Sequence, residues 1–149
     1  MNVTNLIISS NSCNELNSLN LNEYRYLKSI EIGNDCFSNV ELFNIDGLNE
    51  LNELKIGDNS FTQQRDGNNQ SRSFHLLNCA KLESIDIGRY SFSDYAGEFK
   101  LFNLPSLTSI KIGSIETDYS DSNNGGRSSN FFYSSCVVEG IIDDDIANE

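Results

Sequence analysis

Residues 27–33 read LKSIEIG, and three near copies follow, LNELKIG at 51–57, LESIDIG at 82–88 and LTSIKIG at 107–113. The leucines that open the four copies are 24, 31 and 25 residues apart, and a looser copy begins 24 residues upstream at Val3. Repeats of roughly 20 to 50 residues are typical of arrays in which each unit buries its apolar face by stacking on its neighbours. The sequence therefore predicts a stack of about five similar units.

The apolar residues of the motif alternate just before its glycine. Ile30 and Ile32 are expected on one side of an extended segment, and Ser29 and Glu31 on the other. This alternation predicts one short, half-buried strand in every unit.

A second alternating segment precedes the motif in three units, at 40–44, 74–78 and 99–103. It predicts a second strand per unit, with Val40 and Leu42 facing inward in the first of the three. Each segment ends in an asparagine, and stacked asparagine amides can hydrogen-bond the backbone of the next unit. We therefore expect a ladder at one corner of the stack, formed by Asn44, Asn78 and Asn103.

An apolar residue also follows the strand glycine in each unit. We expect these side chains to stack inside, namely Phe37, Phe61 and Phe92, with Cys13 in their place in the first unit. A further inward position is expected to be shared by Ile45, Cys79 and Leu104, which makes Cys79 a small hydrophobic residue. Burial of each apolar side chain would contribute roughly 1.5 to 3 kcal/mol to the stack.

The L-x-x-I-x-I-G strand, the aromatic residue after it and the approach NLPSL at 103–107 resemble leucine-rich repeats, most closely the BspA-like repeats of bacteria and protists. The resemblance implies a mainly β, curved solenoid of about five coils, with parallel strands and little helix. It also implies binding of other molecules, frequently as an adhesin or scaffold, and it carries no catalytic residues. We therefore divide the chain into a leucine-rich-repeat solenoid at 1–142 and an acidic C-terminal tail at 143–149.

The chain has 149 residues and a formal net charge of −12. Such a charge repels nucleic acids and anionic membrane surfaces, so neither is expected as a partner. No stretch approaches the ~20 apolar residues of a membrane span, and the first residues show no signal-peptide pattern. The missing export signal and the unpaired cysteines favour a cytoplasmic protein, whereas the family resemblance allows a place on the cell surface.

Candidates for catalysis or metal binding are few. His75 is the single histidine, in a segment where an outward position is expected, and no general base is paired with it in the sequence. The four cysteines lack the spacing of a zinc site or a redox pair, and residues 118–125 lack the ligand pattern of a calcium loop. We therefore predict no enzyme activity, no metal site and no cofactor.

Two surfaces are candidates for binding a partner. Polar insertions at 62–73 and 114–130 follow the same strand of the repeat, and insertions at one repeat position emerge on one face. Arginines in and between them would suit a carboxylate or phosphate of a partner, with nearby tyrosines as anchors. The second surface is the outward side of the motif strands, which carries short polar and charged residues. The candidate partner-binding residues are Arg65, Arg72, Arg89, Arg127, Tyr90, Tyr95, Tyr119, Glu31, Lys55, Asp86 and Lys111.

The predicted function is a non-catalytic protein-interaction or scaffold module whose protein partner the sequence does not identify. One alternative is a structural subunit that self-associates end to end, because the apolar repeat pattern continues to the ends of the array. Another alternative is a fragment of a cell-surface adhesin.

Overall fold

Ten short strands form two parallel sheets in the computed structural model, which describes residues 2–64, 67–113, 130–131 and 133–141. The first sheet has the strand order β1-β3-β5-β7-β9 and the second has the order β2-β4-β6-β8-β10. The described residues form strands and turns but no helix, which confirms the predicted mainly β structure with parallel strands. The strands are β1 (Asn5–Ile8), β2 (Leu19–Asn20), β3 (Ser29–Ile32), β4 (Leu42–Asp46), β5 (Glu53–Ile56), β6 (Ser73–Leu77), β7 (Ser84–Ile87), β8 (Glu98–Phe102), β9 (Ser109–Ile112) and β10 (Ser135–Glu139).

The chain alternates between the sheets, so one strand of the first sheet and the next strand of the second make up one unit. In the first sheet the motif copies pair residue for residue. Ile30 pairs with Leu54, Leu54 with Ile85, and Ile85 with Ile110. This register keeps the apolar positions on the inner face, and a slip of one residue would move all of them to the solvent side.

The second sheet follows the prediction in two strands and departs from it in β4. Phe74 and Phe99 are buried and paired, as expected for β6 and β8. In β4 the buried residues are Phe43 and Ile45, whereas Leu42 is exposed. The expected inward position of Leu42 is therefore wrong, because β4 extends beyond Asn44 before the chain turns.

The turn after each second-sheet strand explains this difference. Gly47, Asn78, Asn103 and Gly140 all have positive φ, at 79°, 55°, 54° and 68°. Glycine and asparagine adopt this left-handed conformation more readily than other residues. The corner residue of the second unit is thus Gly47, and the predicted role of Asn44 is wrong.

A ladder nevertheless exists at this corner for the other two asparagines, but its hydrogen bonds join side chains to one another instead of to the backbone as predicted. Asn103 Nδ2 donates a hydrogen bond of 2.9 Å to Asn78 Oδ1, and Asn78 Nδ2 donates one of 2.8 Å to Asp46 Oδ1. Asp46 therefore takes the place expected for Asn44. The next inward position is shifted in the same way, so Leu48, and not Ile45, is equivalent to Cys79 and Leu104. The backbone carbonyl of each of these three residues accepts a hydrogen bond from the backbone N–H of the first leucine of a motif.

A column of aromatic rings fills the space between the sheets. Phe37 and Phe61 stack with ring centroids 5.2 Å apart, Phe61 and Phe92 at 4.7 Å, and Phe92 and Phe131 at 4.7 Å. Phe43 of the second sheet also stacks on Phe61 at 4.7 Å. The predicted internal stack is present, and Phe131 extends it by one ring that the sequence did not suggest.

The glycine that ends each motif is required by close approach of successive units. A Cβ placed on Gly88 would lie 2.5 Å from the carbonyl carbon of Gly57, and one on Gly57 would lie 2.8 Å from that of Gly33. Contacts under 3 Å to backbone atoms cannot be relieved by a rotamer change. The glycine therefore sets how closely the turns stack.

Candidate interaction surface

The outward face of the first sheet carries a row of alternating charges. The register places Glu31 beside Lys55, Lys55 beside Asp86, and Asp86 beside Lys111. Glu31, Lys55 and Lys111 are exposed and Asp86 is half-buried. Neighbouring strands in a sheet are about 4.8 Å apart, so the backbones of these four residues follow one another across the sheet at about that spacing. We call these four residues the charge row.

The charge row is flanked by a second row of polar residues, three serines and one glutamate. Ser29, Glu53, Ser84 and Ser109 are aligned across the same strands, two residues earlier in each. None of the four charges of the row forms an ion pair within 4 Å with another described residue. The charge row therefore remains available to groups outside the chain, whereas in the flanking row the Ser29 hydroxyl already donates a hydrogen bond of 2.8 Å to Asn5 Oδ1.

One exposed apolar residue of this face was missed in the sequence. Ile7 of β1 pairs with Glu31 and so continues the charge row, and it is 71% exposed. The signal was present, because Ile7 lies between the inward residues Leu6 and Ile8 and must point outward. Ile7 adds an apolar contact at one end of an otherwise polar row.

Arg72 and Tyr95 do not lie on a binding surface, contrary to expectation. Arg72 Nη1 is 2.7 Å from Asp94 Oδ2, and its Nη2 donates hydrogen bonds to the carbonyls of Ser38 (2.7 Å) and Val40 (2.8 Å). The guanidinium also lies 4.7 Å from the centre of the Tyr95 ring. Both side chains are buried, because Arg72 packs against the neighbouring turn, where Asp94 and Tyr95 lie.

The Tyr95 hydroxyl completes this buried cluster by donating to the carbonyl of Val40. Burial raises the pKa of the Tyr95 phenol, so it stays protonated as a donor. We call Arg72, Asp94 and Tyr95 the buried cluster. Its contacts tie β6, the 89–96 turn and the chain before β4 together.

Other parts of the 62–73 insertion are also held in place. Gln63 N donates to Asp94 Oδ2 at 3.0 Å, and the hydroxyls of Thr62 and Ser93 are 2.8 Å apart. An isolated parallel bridge joins Asn69 to Tyr95. The described part of this insertion is thus anchored to the next unit.

Arg89 and Tyr90 lie at the turn that follows β7. The Arg89 guanidinium is 5.3 Å from the centre of the Tyr90 ring, and the Arg89 backbone N–H donates to Asp58 Oδ1 at 2.8 Å. Arg89 is half-buried and Tyr90 is buried, so this pair presents only part of the guanidinium to solvent. The other predicted residues of this surface, Arg65, Arg127 and Tyr119, lie outside the described residues.

His75 and the cysteines occupy separate places. His75 lies on the outer face of β6, with Nε2 3.1 Å from Glu98 Oε1, a neighbour that the sequence did not reveal. Cys79 is buried, and its Sγ donates to the carbonyl of Leu77 at 3.3 Å. All four cysteines are free thiols, and Cys136 is the exposed one.

The described residues contain no group of three or more histidine, cysteine, aspartate or glutamate side chains arranged to hold a metal ion. Within the same ranges, no helix has the length and apolar character needed to cross a bilayer.

Comparisons of the chain with protein-family models, with curated proteins and with solved structures found no match.

Proposed function

We propose that this chain is a short solenoid of the leucine-rich-repeat type that acts as a non-catalytic protein-interaction module. The observation that carries the proposal is the charge row, in which four charges of alternating sign stand on neighbouring strands of one rigid sheet. The motif copies that generate this row are the residues that resemble leucine-rich repeats.

The row would work by rigid display. The aromatic column and the motif glycines fix the separation of the units, so the backbones that carry the charges stay about 4.8 Å apart and binding costs no backbone entropy there. A protein partner with complementary charges at matching intervals would be selected over one with like charges in the same places. The flanking serines would supply hydrogen bonds.

The polar character of the row also determines how binding should depend on salt. Exposed charges contribute more to association rate and specificity than to affinity, and added salt screens them over about 8 to 10 Å. Binding through the charge row should therefore weaken as ionic strength rises. Ile7, at the end of the row, would supply apolar contact that salt does not screen.

The test uses charge reversal with a matched control. Lys55→Glu with Lys111→Glu inverts both cations of the row, and Lys81→Glu with Lys100→Glu makes the same change in net charge elsewhere. Proteins captured from an extract of the source organism by the wild-type chain are identified by quantitative mass spectrometry, and one purified partner is titrated with each variant. We expect at least tenfold weaker binding for the row variant and little change for the control. Equal binding by the two variants would overturn the proposal.

A further inference from the structure

The inner face of the first sheet ends in exposed apolar residues at β9. Two ladders run through all five strands, one from Leu6 to Ile110 and the other from Ile8 to Ile112. Their members in β3, β5 and β7 are buried by the strands on both sides. Ile110 and Ile112 continue the same ladders but are 46% and 37% exposed. Elsewhere in the stack this apolar surface packs against the next unit. At the β9 end it is exposed.

The second sheet ends in the same way at β10. Cys136 pairs with Phe99 and Val138 with Leu101, so both continue inward ladders of that sheet. Cys136 is nevertheless exposed, and Val138 is 50% exposed. Among the described residues, both sheets thus have their last strand at the same end, with inward side chains partly exposed.

The opposite end, at β1 and β2, contains an apolar cavity of about 360 Å³. Its lining includes the first members of the ladders and residues of the turns next to them. Among the described residues, the outer edges of β1 and β2 pair with no further strand. The apolar residues that line the cavity include Val3, Leu6, Ile8, Leu19, Leu21 and Leu27.

We propose that the β9/β10 end of one copy docks on the β1/β2 end of a second copy, continuing both sheets across the contact. The contact between successive units is made four times among the described residues, and the outer sides of β1/β2 and of β9/β10 correspond to its two halves. In this arrangement Ile110 lies beside Leu6 of the second copy, Ile112 beside its Ile8, and Cys136 beside its Leu19. Unpaired strand edges favour such addition.

The contact joins different surfaces of the two copies, so it does not close on itself. Contacts of this heterologous kind generate open chains unless the rotation between copies closes a ring. The charge row points away from the contact and would continue from one copy to the next. The inference is therefore independent of whether the row binds a partner.

Charge predicts an unusual salt dependence for this assembly. Each copy has a formal net charge of −12, so two copies repel one another at low ionic strength. Salt screens the repulsion but leaves apolar burial intact. Self-association should strengthen with salt, which is opposite to binding through the charge row.

Sedimentation velocity over a concentration series, at low and at high salt, tests the proposal. We expect the average mass to rise above the 16.7 kDa of one copy with concentration, and to rise further in high salt. Ile110→Glu should weaken association at least tenfold, whereas Leu42→Glu, at an exposed position of β4 away from both ends, should leave it unchanged. A single copy at every concentration and salt level would overturn the proposal, as would equal effects of the two substitutions.

A mixing experiment shows whether the two ends meet. Leu6→Glu spoils one end and Ile110→Glu spoils the other, so each variant alone should remain monomeric. A mixture should form dimers that grow no further, because each variant retains the end that the other lacks. If Ile110→Glu still dimerises alone, the contact joins like ends and the proposed geometry is wrong. The wild-type concentration series and the comparison of Ile110→Glu with Leu42→Glu test the proposal even if Leu6→Glu impairs folding.

Discussion

The Arg72 guanidinium lies 2.7 Å from the Asp94 carboxylate, and only 1% and 5% of the two side chains are exposed. Two backbone carbonyls take further hydrogen bonds from Arg72, and the Tyr95 ring covers it. A buried charge is tolerated only when it is paired and hydrogen-bonded. The two Nη atoms of Arg72 meet both conditions, whereas Arg72 Nε and Asp94 Oδ1 are buried with no hydrogen-bond partner among the described residues. The buried cluster thus anchors the first insertion to the stack.

Removing one member of this pair should destabilise the fold strongly. Arg72→Ala leaves the Asp94 carboxylate buried without its cation, and breaking a buried pair in this way costs about 3 to 5 kcal/mol. Urea unfolding followed by circular dichroism measures the change. Lys81→Ala, which removes the exposed partner of Glu50, is the control and should leave the midpoint nearly unchanged. Similar effects of the two substitutions would show that the cluster does not anchor the insertion.

The aromatic column should be the main apolar contributor to stability. Phe92 stacks on Phe61 and on Phe131 and meets Tyr95 edge to face, so Phe92→Ala opens a cavity at the centre of the column. A loss of about 3 to 5 kcal/mol is expected. Phe102→Ala removes an equal volume from an exposed site on the second sheet and should cost far less. A small loss for Phe92→Ala in the same urea assay would rule out the stacked core.

Two glycines should respond differently to the same added methyl group. Gly88→Ala places a Cβ within 3 Å of the Gly57 backbone and forces two turns apart. In Gly47→Ala the added Cβ meets no atom within 4 Å. The only loss of stability is that of an alanine held at positive φ, about 1 kcal/mol. The Gly88→Ala variant should therefore have the lower thermal midpoint by a wide margin. The reverse order would mean that turn spacing is not set by the motif glycine.

Stability should also fall at alkaline pH because of a buried thiol. Burial raises the pKa of Cys79 from 9.0 to about 11. Between these two values the unfolded chain has lost the thiol proton and the folded chain keeps it, so folding becomes less favourable as pH rises. A pKa difference of two units corresponds to a loss of about 2 to 3 kcal/mol in the free energy of unfolding. Burial of Tyr95 acts in the same direction at still higher pH.

Urea midpoints measured from pH 7.5 to 10.5 test this dependence. Cys79→Ala removes the group and should flatten the decline, whereas Cys136→Ala, at the exposed cysteine, should leave it unchanged. An identical decline in both variants would assign the pH effect to other groups.

The first sheet could be predicted from the sequence because the residues that define each of its strands lie close together in the chain. The seven-residue motif contains both the alternation that makes the strand and the glycine that ends it, and apolar burial then fixes the register. The charge row follows from that register, so Glu31, Lys55, Asp86 and Lys111 were found as one surface.

The second sheet and the buried cluster depend on contacts between residues that are far apart in the sequence. β4 departs from the prediction because its corner residue is Gly47, whereas the next two units have an asparagine at that place. Alignment of Asn44 with those asparagines displaced the predicted strand by three residues. A surface position was predicted for Arg72 because its buried partner, Asp94, lies 22 residues away in another turn and so gives no local signal. Charged residues are rarely buried unless they are paired, and the pairing is visible only once the units are stacked.

The most direct measurement of the central claim is an engineered disulfide across two motif copies. Glu31 and Lys55 are register partners, and neighbouring strands about 4.8 Å apart are within the Cα separation that a disulfide spans. Glu53, two residues before Lys55 on the same face, is roughly 8 Å from Glu31 and beyond that range. Both pairs are replaced by cysteine in a Cys136→Ser background and oxidised mildly, and the free thiols are counted by mass spectrometry. If the copies stack residue for residue, Glu31→Cys with Lys55→Cys closes a bridge and Glu31→Cys with Glu53→Cys does not; bridge formation in the second variant alone would contradict the stacked register.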